Sequence, residues 1–135
     1  IGLTRDTKRE HIAKASLEGI ALSVGGLVQL AQESLGQPIE ILSVDGGAAA
    51  SNELLQAQAN FTGINVRRPN NLESTARGAA LFAGLESGLI NNLAALKTTR
   101  EDDAVIFQSQ LNSNERLKWI KRWDNAVQRS LHWHE

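Results

Sequence analysis

A chain of 135 residues, 41% of them hydrophobic, suffices for one buried core and so for one domain or a piece of one. Fourteen basic against fifteen acidic residues leave a net charge of -1, which gives no footprint for nucleic acid, and no run of about eighteen apolar residues offers a membrane span. The lack of cysteine excludes a disulfide framework, a thiolate nucleophile and a cysteine-based zinc site, and is compatible with a reducing cytoplasm.

The chain opens Ile-Gly-Leu-Thr and contains no methionine, so it reads as an excerpt from a longer protein. Thr7 with Glu10 three positions on forms a capping-box pattern at the start of a helix. From there Ala13, Leu17, Ile20, Val24, Leu27, Ala31 and Leu35 step by three or four, which predicts one buried face on a long helix. Gly19, Gly25 and Gly26 interrupt it at about 1 kcal/mol each relative to alanine, so the pattern predicts either very close packing or a kink. Gly36 supplies a left-handed stop, and Pro38 prevents continuation.

The stretch that follows organises the rest. Ile41, Leu42 and Val44 form a short apolar run suited to a strand buried on both faces, within residues 39–44. Asp45 is followed by Gly46 and Gly47, which permit a tight turn and let a ligand approach bare backbone. A helix then runs over 51–61, with Ser51 or Asn52 as its cap and Glu53 in its first turn. Leu54, Gln58 and Phe61 share one side of it. Strand, diglycine turn and helix N-terminus together make a natural anion site, phosphate being the usual guest. The spacing matches neither the Walker A pattern nor the dinucleotide glycine motif.

Gly63 ends this helix, residues 64–66 alternate as a strand, and Arg67, Arg68, Pro69 and Asn70 leave it. A third helix over 73–87 is dominated by Ala76, Gly78, Ala79, Ala80, Ala83 and Gly84, a surface suited to lying flat against a sheet or a neighbouring helix. Gly88 closes it. Residues 89–111 read as an irregular connector with an acidic, solvent-exposed turn at Glu101, Asp102 and Asp103. Asn112 with Glu115 caps a last helix that carries Leu117, Ile120, Trp123, Val127 and Leu131 on one face. Its Arg116, Lys118, Lys121, Arg122 and Arg129 read as a solvated face. His132 and His134, an H-x-H pair with no third ligand nearby, read as a solvated tail rather than a metal site.

The run VDGGAAASNELLQAQANFTGINVRRPNNLESTARGAALFAGLESGLI resembles the carboxy-terminal domain of the FGGY family of carbohydrate kinases. GLT near the start, SLEGIA in the first helix and the Trp123 and Trp133 segment fit as well, so the likeness covers nearly the whole chain. Residues 66–69 followed by ESTARGAA and AGLESG are similar to the glycerol kinases within that family. The resemblance implies an α/β fold, part of an actin-like, ribonuclease H-like ATPase domain. It would run helix, strand, helix, strand, helix and C-terminal helix, with the opening strands missing. Residues 1–135 would be a fragment of that domain, and 112–135 a helical extension within it.

The implied activity is transfer of the γ-phosphoryl of ATP, with Mg2+, to glycerol. Gly46 and Gly47 fall on the family's nucleotide-contacting diglycine. Family members commonly have asparagine at the position of Ser51. Here Ser51 precedes Asn52, and either could make that contact. Arg77 stands where an apolar or small residue is commoner. The family's phosphate loop, polyol pocket and general-base aspartate would lie upstream of Ile1, so the chain alone is expected to phosphorylate nothing. Implied partners are ATP or ADP, and glycerol through the missing N-terminal domain. With the opening strands absent, the uncovered edge of the strand over 39–44 predicts association with further copies of the chain; no nucleic acid, membrane or resident metal is expected. A different FGGY sugar kinase and a non-catalytic interaction domain on the same scaffold are the alternatives.

Overall fold

The computed structural model describes residues 1–92, 94 and 103–131. In chain order these form helix α1 (Arg9–Leu35), strand β1 (Ile41–Ser43), a 3-10 turn (Gly47–Ala50), helix α2 (Asn52–Thr62), strand β2 (Asn65–Pro69), helix α3 (Ser74–Glu86), strand β3 (Ala104–Phe107) and helix α4 (Ser113–Ser130). The sheet has the order β1-β2-β3. β1 and β2 are parallel, with Leu42 opposite Val66. β3 runs antiparallel to β2, with Phe107 opposite Val66. Strand β3 was not among the predicted elements, and Arg67, Arg68 and Pro69 continue β2 rather than leave it.

Helix α2 is the element around which both halves of the core form. On one side its Leu54 and Phe61 join Ala21 and Leu22 of α1, with Leu17, Trp119, Ile120 and Trp123 packed around them. On the other its Leu55 and Ala59 meet Val66, Leu42, Val44 and Phe107 of the sheet. Phe61 and Trp119 lie 5.6 Å apart in a tilted ring pair. The Asn60 amide oxygen accepts from the Gln110 N–H at 2.8 Å, and Gln56 Nε2 donates to the Gln108 carbonyl at 2.8 Å, which ties the segment after β3 to α2.

The first helix begins one residue later than the capping pattern predicts. Thr7 Oγ1 accepts from the Thr4 N–H at 2.9 Å, so it closes an upstream turn instead of capping. Lys8 takes the N-cap position, and its N–H donates to His11 Nδ1 at 3.2 Å. Helix α1 then continues unbroken through all three glycines to Gly36, whose φ of 65° ends it as expected. Its buried stripe is Ala21, Leu22 and Val28, while Ile20, Leu27 and Leu30 stay more than half exposed. The packing face is therefore rotated from the predicted one. At Gly19 an added Cβ would lie 3.5 Å from Trp123, an ordinary contact, and at Gly26 it would meet nothing within 4 Å.

Four other expectations are corrected. Strand β1, expected to be buried on both faces, leaves Ile41 and Ser43 exposed and Leu42 only partly buried. Among the described residues no sheet or helix covers the alanines of α3: Ala76, Ala79, Ala80 and Ala83 are exposed, and Gly84 is covered by Ile90 of the returning chain, whose N–H donates to the Gly84 carbonyl at 2.9 Å. Helix α4 is capped by Asn112 and Glu115 in both directions, each bond 3.0 Å, as the spacing predicts. Its inward stripe, however, includes Arg116 and Trp119 beside Ile120 and Trp123, whereas Leu117 is 61% exposed. Arg116 crosses Gly63, and the Arg122 guanidinium lies 5.6 Å above the Trp119 ring, so neither belongs to a purely solvated face. Asp103 is exposed; Glu101, Asp102, His132, Trp133 and His134 lie outside the described residues.

Candidate functional site

The carboxyl ends of β1 and β2 converge on the diglycine loop. Val44 donates its N–H to the Arg67 carbonyl at 3.0 Å, which extends the parallel pairing to the loop's threshold. Gly46 then adopts φ 78°, ψ 178°, a conformation essentially restricted to glycine, and its N–H is held by the Leu72 carbonyl at 2.8 Å. Gly47 is not at positive φ and opens the 3-10 turn. Within that turn the Ala49 N–H donates to the Gly46 carbonyl at 3.0 Å, and the Ser51 N–H to the Ala48 carbonyl at 3.2 Å. Among the described residues no protein acceptor serves the Gly47 and Ala48 N–H groups. A Cβ built on Gly46 or Gly47 would meet nothing within 4 Å.

The two candidate polar contacts have separate duties here. Ser51 is the N-cap of α2: its Oγ accepts from the Leu54 N–H at 3.2 Å and donates to Glu53 Oε2 at 3.2 Å. The Asn52 amide oxygen accepts from Arg68 Nη1 at 2.8 Å. The structure thus brings Gly46, Gly47, Ser51 and Asn52 together on one loop, with both side chains turned to protein partners.

Two hollows flank this loop. One, of about 470 Å³, is lined by Asp45, Arg67, Asn71, Ser74 and Arg77 among others, which gives Arg77 a place at the carboxyl end of the strands. The other, of about 270 Å³, lies between Ser43, Val44, Asp45, Ala48 and Ala49 and the α2 residues Leu54, Leu55 and Gln58. Gln58 is 7% exposed, and its Oε1 has no hydrogen-bond partner among the described residues. Neither Arg68 nor Gln58 stood out as polar members of this region in the sequence. The usable signal for Arg68 was strand alternation: two residues beyond Val66, it falls on the α2 face of β2.

The profile of the C-terminal domain of the FGGY family of carbohydrate kinases matches residues 1–87. A glycerol kinase of Rhodopirellula baltica is 43% identical over 135 residues, covering 100% of this chain and 25% of its own length. One from Malacoplasma penetrans is 41% identical over 132 residues, 98% of this chain and 26% of its own. Among solved structures, Plasmodium falciparum glycerol kinase with ADP superposes with a TM-score of 0.80 at 30% identity, over 97% of this chain and 26% of that one. A xylulose kinase from Rhodospirillum rubrum, at 22% identity and a TM-score of 0.70 over 98% of this chain and 27% of its own, shares the fold. The chain spans about a quarter of the length of the curated relatives it matches. The fold is the actin-like, ribonuclease H-like α/β arrangement of these kinases. The expected order of helices and strands holds, with β3 added between α3 and α4.

Proposed function

The chain belongs to the FGGY family of carbohydrate kinases, and from that premise we propose that it is the nucleotide-binding, C-terminal part of a glycerol kinase. The parent would transfer the γ-phosphoryl of ATP to glycerol and release glycerol 3-phosphate. The reading rests above all on the diglycine loop, where among the described residues the Gly47 and Ala48 N–H groups have no protein acceptor and a Cβ on either glycine would meet nothing within 4 Å. Similarity at 30% identity to a glycerol kinase solved with ADP supports it.

Phosphoryl transfer depends on positioning and charge stabilisation more than on covalent chemistry by the protein. In this reading Gly46 sets the turn, and the absent Cβ of Gly47 lets the nucleotide reach the backbone. The N–H groups of Gly47 and Ala48 donate to it, while Ser51 and Asn52 hold the loop's shape. Mg2+ typically takes one or two carboxylates plus phosphate oxygens, and the Asp45 carboxylate beside the loop fits that donor set. Mg2+ would supply charge neutralisation on the phosphates. Glycerol, the general base and the phosphate loop would be held by the remainder of the parent, in a cytoplasmic and oligomeric enzyme. Residues 112–135, beyond the family match, would be a helical extension whose α4 packs on α1 and α2.

Calorimetric titration of the full-length protein with ADP and glycerol-dependent consumption of ATP test the proposal together. Saturable binding and turnover are expected of the full-length protein, and no turnover above background of the isolated 135-residue chain. A full-length protein that binds no adenine nucleotide would overturn the reading.

A further inference from the structure

Arg68 reaches across from the sheet to the loop that precedes α2. Its Nη1 lies 2.8 Å from Asn52 Oδ1, 3.1 Å from the Ala49 carbonyl and 3.4 Å from the Ala50 carbonyl. Its guanidinium carbon sits 5.2 Å from the centroid of the Phe107 ring of β3. Gly46 and Ala48 accept the N–H groups of Ala49 and Ser51, whereas among the described residues the Ala49 and Ala50 carbonyls accept from no N–H of a neighbouring turn, loop or helix start. Two protons on one nitrogen therefore serve three oxygens, so two of the oxygens share one. The planar guanidinium can donate at its edge while its face rests on an aromatic ring; an ammonium offers no such plane.

We propose that Arg68 is the positioning residue of the nucleotide loop. Together with the Leu72 carbonyl, which holds the Gly46 N–H, it fixes the loop from the other end, so that the Gly47 and Ala48 N–H groups are aimed before a nucleotide arrives. Such preorganisation contributes to affinity by lowering the ordering cost of binding. Arg68 acts through Ala49, Ala50 and Asn52, and its charge adds to the positive environment at the helix N-terminus. The inference rests on the reading of the loop as a nucleotide site.

The experiment compares Arg68→Ala, Arg68→Lys and Arg68→Gln in the full-length protein by ADP titration, by ATP KM and kcat, and by amide hydrogen exchange across residues 46–52. Arg68→Ala is expected to speed exchange in that segment and to raise the ADP Kd and ATP KM about tenfold, with kcat changing less. Arg68→Lys is expected to restore part of the affinity, and Arg68→Gln less. If the wild type binds no ADP, the nucleotide reading fails, and exchange alone still decides whether Arg68 orders the loop. If the wild type binds ADP and the variants bind it equally, with unchanged exchange over 46–52, the positioning role is overturned. Should Arg68→Ala fail to fold, the lysine and glutamine variants carry the same comparison.

Discussion

Replacing Gly46 and Gly47 one at a time separates what the turn needs from what a nucleotide needs. Gly46 sits at φ 78°, ψ 178°, a region that residues with a Cβ enter at a cost of about 1–3 kcal/mol. An added Cβ meets nothing within 4 Å there, so the whole effect of Gly46→Ala is backbone strain. In a domain of this size about 1 kcal/mol moves the melting temperature by roughly 4 °C, which gives an expected fall of about 4–12 °C. Gly47 is not at positive φ, and its Cβ would also meet open space. Gly47→Ala should therefore leave stability unchanged or raise it by up to about 1 kcal/mol through the unfolded chain. Gly47→Val adds branched bulk where the nucleotide would approach, and should weaken ADP binding about tenfold or more, about 1.4 kcal/mol. Calorimetric titration of the full-length protein with ADP, beside thermal melts of each variant, makes the measurement. A Gly47→Val protein that binds ADP as tightly per folded molecule as the wild type would refute the ligand argument; a Gly46→Ala protein that melts with the wild type would refute the strain argument.

Gly26→Ala should stabilise the chain by about 1 kcal/mol, since the residue lies within α1, and an added methyl would meet nothing within 4 Å; a lower denaturant midpoint would contradict this. Gln58→Leu in the isolated chain should be neutral or stabilising, because it replaces a buried amide whose Oε1 has no partner among the described residues with an apolar side chain of similar size. A loss of about 2 kcal/mol or more in urea unfolding would show that the amide is satisfied after all. The isolated chain should also self-associate: β1 pairs on one edge with β2 and on the other with no strand among the described residues, while Ile20, Leu27 and Leu30 of α1 and Ile41 of β1 are each at least half exposed. A concentration-dependent melting temperature is expected, and light scattering that finds a stable monomer at low micromolar concentration would defeat the prediction.

Legibility followed the range of the interaction that creates each feature. Gly36, Gly63 and the Asn112–Glu115 pair satisfy backbone groups within a turn of themselves, so their residue types alone locate three helix ends, and for the start of α2 residue type narrows the cap to Ser51 or Asn52, of which the structure uses Ser51. The diglycine loop was readable for the same reason, since Gly46 needs a glycine for its own φ and ψ. Burial is set by partners distant in sequence, and there the periodicity misled. Helix α1 carries apolar residues over more of its circumference than α2 covers, so spacing admitted several faces and the predicted one was rotated. Thr7 was misread because Thr4 competes for its hydroxyl, a contest between neighbours that a capping pattern does not weigh. Strand β3 was missed because four residues, Ala104 to Phe107, are too few for a period, and only pairing with β2 makes them a strand. The missing strand also hid Arg68. Its ring partner Phe107 belongs to β3, and its oxygens belong to the 3-10 turn and the start of α2, sixteen to nineteen residues earlier. With β2 read as ending at Val66, a second arginine looked like the start of a polar loop. Extending the strand to Pro69 places that charge on the α2 face, where a cation must have acceptors, and Asn52 Oδ1 and the carbonyls of Ala49 and Ala50 are within its reach.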